Sequence, residues 1–184
     1  MKAAFLDRDN TIIQDKGYTH KKEDLHFLPK AISGLKTLHE AGYLLIIVTN
    51  QSGIARGLYT EEQYQAFKAE MHSKLQQQGI MIKDEFFCPH HPEKGVGEYK
   101  KDCDCRKPKP GMLEEAIAKH SIDRKKSWTI GDKAADIEAG LAAGTRTIGI
   151  ISRESTKEEL ASAGAEFVCN NLEEAAHYIL EKDL

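Results

Sequence analysis

At 184 residues, 40% of them hydrophobic and 30% charged, the chain has the composition of an ordinary soluble protein and the length for one well-buried core. A formal net charge of −3 carries no overall bias toward nucleic acid. No apolar stretch could span a bilayer and Met1-Lys2 lead straight into a short strand, so no membrane association and a cytoplasmic location are expected.

The first element is the apolar run Ala4-Phe5-Leu6, which stops at Asp7 and Asp9. It reads as a parallel strand delivering carboxylates to its carboxyl end, where open α/β sheets place their ligands. Alternation along an extended segment puts Asp7 and Asp9 on one side with Arg8 pointing away. Carboxylates that close repel, and a hard, oxygen-liganded cation such as Mg2+ between them removes the repulsion. Standing alone the pair reads better as an acidic strand-end turn. The rest of the chain argues otherwise.

A polar loop from Gln14 to Lys22 follows, and Pro29 opens a helix through Ile32, Leu35 and Leu38 that Gly42 stops. Tyr43 to Val48 is continuously apolar, as a strand buried on both faces should be. It ends in the polar loop Thr49-Asn50-Gln51-Ser52-Gly53-Ile54-Ala55-Arg56-Gly57, one crossover from Asp7 and hence at the same end of the sheet. Thr60 and Gln63 form a capping box for a helix reaching about Gln78, and Gly79 ends it. A third strand lies within Ile80 to Cys88.

Pro110-Gly111 begins a helix through His120, and Ser127 to Ile130 is a fourth strand ending at Gly131-Asp132-Lys133. A helix with Asp136, Ile137 and Leu141 then runs to Gly144, and Arg146 to Ile151 makes a fifth strand. Thr156 and Glu159 cap a short helix, Glu166 to Cys169 is a strand, and Asn171 caps the last helix. Strands and helices alternate throughout, which predicts an α/β, Rossmann-like three-layer sandwich with a mainly parallel sheet. No repeat or linker divides it, so residues 1–184 are expected to form a single domain. The loops Gln14 to Lys22, Gln51 to Thr60 and Cys88 to Lys109 are too small to be a cap domain.

Cys88 to Lys109 has no hydrophobic period, and structureless segments longer than about 12 to 15 residues are uncommon unless something ties them down. Three of the four cysteines lie there. Cys88, Cys103 and Cys105 with His90 make the ligand set of a closed tetrahedral, structural Zn2+ site, with His91 as the rival imidazole. Cys169 reads as a small core residue.

Three strand ends thus carry polar groups: Asp7 and Asp9, Thr49 and Asn50, Asp132 and Lys133. With Lys107, these residues resemble the haloacid dehalogenase superfamily of phosphohydrolases, whose pattern is Asp-x-Asp after strand one, Thr or Ser after strand two, a Lys, and a late Gly-Asp. The finer resemblance is to the D-glycero-D-manno-heptose 1,7-bisphosphate phosphatases. It rests on Asp7-Arg-Asp9, Asp15-x-Gly17-Tyr18, Thr49 to Gly57, Cys88-Pro-His-His-Pro92, Cys103-Asp-Cys105-Arg-Lys-Pro108 and Gly131-Asp-Lys133. One position departs: the residue after the second acid is usually Gly and here is Asn10, the residue type that best tolerates a left-handed turn after Gly.

The resemblance implies that Asp7 is the nucleophile of an aspartyl-phosphate mechanism and Asp9 the acid and base. Mg2+ would be held by Asp7, the backbone carbonyl of Asp9, and Asp132. Thr49 and Lys107 would hold the phosphoryl oxygens. Asp15, Lys16, Gly17, Tyr18, Asn50, Gln51, Ser52, Arg106 and Lys133 would contact substrate, and His90 is the imidazole the family pattern favours for zinc. The implied reaction is removal of the C7 phosphate of the heptose bisphosphate, a sugar-phosphate substrate, by a monomer. Histidinol-phosphate phosphatase is the nearest rival, and a catalytically silent, zinc-stabilised binding protein is the rival of another class; it would need a missing carboxylate.

Overall fold

The computed structural model describes residues 1–183. Six strands form one parallel sheet: β1 (Ala3–Leu6), β2 (Leu44–Asn50), β3 (Ile82–Cys88), β4 (Trp128–Gly131), β5 (Arg146–Ile150) and β6 (Phe167–Cys169). Their order is β3-β2-β1-β4-β5-β6. The chain therefore winds one way from β1 and the other way from β4, and the switch point lies at the carboxyl ends of those two strands. Open α/β sheets bind ligands at that position.

Helices cover both faces. α1 (Ala31–Glu40), α3 (Glu61–Gln77) and α7 (Leu172–Lys182) bury Leu35, Leu38, Phe67, Met71, Leu75, Ala176 and Ile179 with Leu6, Leu45, Ile47 and Ile130 of the sheet. On the opposite face, α4 (Gly111–His120) and α5 (Ala134–Ala142) meet Phe5, Ile46 and Val48 through Leu113, Ala116 and Ala139. α6 (Lys157–Ser162) lies beside β5 and β6, its Leu160 side chain filling the space over Gly149. Helix α1 approaches α7 closely at Gly34, where a Cβ would come within 2.4 Å of the Leu172 carbonyl. No side chain fits there.

The capping boxes form as the sequence predicts: Thr60 Oγ1 accepts from the Gln63 N–H, and Thr156 Oγ1 from that of Glu159. Asn171 Oδ1 accepts from the Glu174 N–H at the start of α7. Three boundaries differ from expectation. Lys30, in a left-handed conformation (φ 66°), is the N-cap of α1, so the helix starts two residues after Pro29. β2 continues past the apolar run because Thr49 and Asn50 pair with Phe87 and Cys88 of β3. Ser52–Ala55 is a single helical turn, α2, where a loop was expected, and it buries Ile54 and Ala55. Residues 89 to 109 are irregular apart from one tight turn at Gly97–Tyr99, and no element large enough to be a cap lies between the strands among the described residues.

Candidate active site

β1 ends at Leu6, and the Asp7 N–H is anchored to the Ile130 carbonyl of β4 at 2.9 Å. The strand alternation expected through Asp9 therefore stops short. Arg8 does not point away from both acids: it is 1% exposed, donates from Nε and Nη2 to Asp9 Oδ1 at 2.9 and 2.8 Å, and donates again to the Thr19 carbonyl. The Asp9 carboxylate is thus turned to Arg8 and to Gln51 Nε2, 3.0 Å away, rather than sharing a cation with the Asp7 carboxylate. Asn10, at φ 56°, makes the left-handed turn that its place in the motif requires.

The carboxylates that do converge are Asp7, Asp132 and Asp136, with ligand oxygens all within 4.8 Å of one another and all three residues buried. Asp136 was legible only as a helix residue. Its Oδ2 accepts from the Lys133 N–H in the first turn of α5, and its Oδ1 accepts from Lys107 Nζ at 2.5 Å. Lys107, 4% exposed, also donates to Asp7 Oδ1 at 2.8 Å and the Val48 carbonyl at 2.7 Å, so its three N–H bonds are all used. One ammonium among three buried carboxylates leaves the site short of positive charge. Burial, with Asp136 and Asp132 nearby, pushes Asp7 up to about 8 despite the pull of Lys107. Burial and the Asp136 charge push Asp132 up to about 7.

Asp132 Oδ2 accepts from Ser152 Oγ at 2.9 Å, while Oδ1 is buried without a partner. An orphaned carboxylate oxygen with two further buried carboxylates beside it fits a hard divalent cation of the Mg2+ kind.

A cleft of about 550 Å³ opens over this cluster. Of the substrate-contacting residues expected from the sequence, Asp15, Gly17, Tyr18, Asn50, Gln51, Ser52, Arg106, Lys107 and Lys133 line it. Lys16 does not; its ammonium lies 3.4 Å from Asp24 on the surface. Thr49 is fully buried beneath the floor, its Oγ1 2.8 Å from Gln51 Nε2. Lys133 faces Glu154 Oε2 at 2.8 Å, and that carboxylate offsets the cation at the helix start. Tyr59 and Glu154 line the cleft without having been singled out in the sequence.

The cysteine loop closes on itself beside the cleft. The Sγ atoms of Cys88, Cys103 and Cys105 are 3.0 to 3.5 Å apart, and His90 Nδ1 lies 3.7 and 3.5 Å from those of Cys88 and Cys105. These separations are too long for disulfides and near the ligand-to-ligand spacing of a tetrahedral Zn2+ with bonds of about 2.0 to 2.3 Å. The interaction with the Cys88 sulfur pulls Cys105 down to about 5, which favours the thiolate there. The rival His91 is otherwise engaged, its Nδ1 accepting from the N–H groups of Glu93 and Lys94. The cluster reaches the cleft through the chain: Arg106 Nη1 donates to the His90 carbonyl, and Asn50 exchanges two 3.0 Å bonds with the Lys107 backbone.

Comparison with known proteins agrees with this geometry. A family model described as HAD-hyrolase-like matches residues 104–175. The chain is 51% identical over 144 residues to a D-glycero-alpha-D-manno-heptose-1,7-bisphosphate 7-phosphatase of Photorhabdus laumondii, covering 78% of this chain and 79% of that one. It is 41% identical over 179 residues to a D-glycero-beta-D-manno-heptose-1,7-bisphosphate 7-phosphatase of Haemophilus ducreyi, covering 97% and 98%. A crystal structure of the D,D-heptose 1,7-bisphosphate phosphatase of B. bronchiseptica, complexed with magnesium and phosphate, superposes with a TM-score of 0.84 at 30% identity over 99% of both chains. The chain belongs to the heptose-1,7-bisphosphate 7-phosphatase family of haloacid dehalogenase-like phosphohydrolases.

Proposed function

We propose that the chain is a Mg2+-dependent phosphatase that removes the C7 phosphate of D-glycero-D-manno-heptose 1,7-bisphosphate in nucleotide-activated heptose synthesis. The observation that carries this reading is the cation-deficient trio of Asp7, Asp132 and Asp136 around Lys107 at the sheet's switch point. The Asp7 carboxylate attacks phosphorus while the bond from phosphorus to the C7 oxygen breaks, leaving an aspartyl phosphate. Asp9 gives its proton to the departing sugar oxygen. The carboxylate so formed takes a proton from water as that water's oxygen attacks phosphorus, releasing inorganic phosphate and restoring both aspartates. Burial raises the Asp9 carboxyl against the pull of Arg8, which suits a proton donor.

Asp7, Asp132 and the Asp9 carbonyl would hold Mg2+, whose charge offsets that of the transferring phosphoryl group. Lys107 serves the phosphoryl oxygens from the cleft lining, Thr49 supports the cleft floor through its bond with Gln51, and Arg106 and Lys133 are the cations placed for the substrate's other charge. Cys88, His90, Cys103 and Cys105 would hold a structural Zn2+ that presents Arg106 and Lys107. We assign residues 1–184 to one catalytic domain that acts as a monomer in the cytoplasm; no helix among the described residues is long and apolar enough to cross a membrane. The complete set of carboxylates argues against a silent binding protein.

Rapid acid quench of a turnover reaction, followed by peptide mapping, tests the chemistry. Phosphate is expected on Asp7, and Asp7→Asn should abolish both the phosphopeptide and turnover. A normal rate in that variant would sink the assignment.

A further inference from the structure

The buried contacts of Gln51 go beyond the substrate-binding part implied for it. Gln51 is 2% exposed, and its amide nitrogen lies 3.0 Å from Asp9 Oδ2 and 2.8 Å from Thr49 Oγ1. Its amide oxygen accepts from the Tyr59 hydroxyl at 2.5 Å. Whenever Asp9 is ionised the two ends of that amide are not interchangeable, because a flipped Gln51 would aim its oxygen at a carboxylate oxygen, acceptor against acceptor.

Tyr59 is itself held. Its ring lies over Gly53, where a Cβ would come within 2.1 Å of Cε1, and His20 stacks on it with ring centroids 4.6 Å apart and planes 15° from parallel. Burial raises the Tyr59 phenol well above its ordinary range, so the hydroxyl stays a donor.

We propose that Tyr59 is a positioning residue for proton transfer: its hydroxyl locks the Gln51 amide, and the locked amide nitrogen fixes Asp9 Oδ2 at the cleft. Arg8 anchors the other oxygen. Each carboxylate oxygen has two lone pairs, so Gln51 occupies one on Oδ2 and leaves the second for the proton that goes to the leaving group. The inference rests on Asp9 being the acid. It assigns Gln51 to holding that acid, with Tyr59 acting through it.

The test compares two leaving groups. kcat/KM reports the steps through leaving-group departure, and p-nitrophenolate needs little proton assistance where a sugar alkoxide needs much. Tyr59→Phe keeps the ring and removes one neutral hydrogen bond, so kcat/KM for the heptose bisphosphate should fall about 3- to 10-fold while that for p-nitrophenyl phosphate changes by less than about twofold. Gln51→Met should lower the ratio of the two kcat/KM values by at least as much, and adding Tyr59→Phe to it should lower that ratio no further. Equal losses on both substrates, no loss, or additive losses would overturn the proposal. Asp9→Asn, assayed alongside, separates the two levels of the argument. A selective loss in Asp9→Asn with none in Tyr59→Phe removes Tyr59 alone, whereas an equal loss on both substrates in Asp9→Asn overturns the reading of Asp9 itself.

Discussion

Asp9 and Asp7 are neighbours in sequence with opposite surroundings in the fold. Asp7 faces Lys107 and two other carboxylates, while Asp9 is clamped by Arg8 and Gln51. This division predicts separable defects. Asp9→Asn keeps its backbone carbonyl and the Asp7–Asp132–Asp136 cluster, so Mg2+ affinity measured by calorimetry should be nearly unchanged. Turnover should fall by about 10²- to 10⁴-fold, the usual worth of a positioned acid and base. Lost Mg2+ binding with normal chemistry at saturating metal would contradict the division. The acids were legible because an apolar run that stops at carboxylates marks a strand end. Arg8 was misread because β1 ends one residue before Asp7 and the alternation rule with it. Asp136 and Tyr59 carried no local signal; one looks like an ordinary first-turn acid of a helix, the other like a loop aromatic, and only tertiary packing gives them their partners.

Among the elements, those with chemically explicit ends were readable. Thr60 with Gln63, Thr156 with Glu159 and Asn171 each satisfy N–H groups that the helix cannot, so sequence and structure agree there. α2 was not readable, because four residues including Gly53 make too short a period to register. The long loop after Cys88 was marked in the sequence by its cysteines and histidine, which the fold gathers into one cluster, rather than by any hydrophobic pattern. Fixing a residue's backbone costs roughly 1 to 2 kcal/mol, and residues 89 to 109 form little regular structure to offset that. A metal bound by that cluster would supply the order. Cys103→Ser should therefore lose zinc by elemental analysis and be cut faster by protease between Cys88 and Lys109. Loosening Arg106 removes a charge-assisted contact worth about 1.5 to 3 kcal/mol, so kcat/KM should drop at least about tenfold with Mg2+ binding intact. Chelation of zinc that leaves activity and loop protection unchanged would refute this role for the loop.

For the whole molecule, the parallel sheet sets a stability balance that depends on the catalytic metal. β1 and β4 meet at the switch point, which concentrates acids that the fold buries. Asp7 and Asp132 rise from 3.8 to about 8 and about 7, so between these values the folded chain binds protons that the unfolded chain releases. Without metal, these two groups contribute most to stability below about pH 4 and lose that contribution as pH rises toward 8. Mg2+ should displace those protons and stabilise most at the upper end, by about 2.7 kcal/mol at 100 times its dissociation constant. Calorimetric melting from pH 5 to 8, with and without Mg2+, checks the sign; a metal-free protein that gains stability across that range contradicts it. The α/β architecture was legible from alternation alone, but the sharing of one lysine between Asp7 at a strand end and Asp136 on a helix was not. The most direct measurement of the function is phosphorus NMR of the product, taken while kcat/KM is determined side by side on both anomers of the heptose 1,7-bisphosphate and on histidinol phosphate. The expected result is preference for a heptose bisphosphate with heptose 1-phosphate as product; release of the C1 phosphate, or preference for histidinol phosphate, would contradict the account.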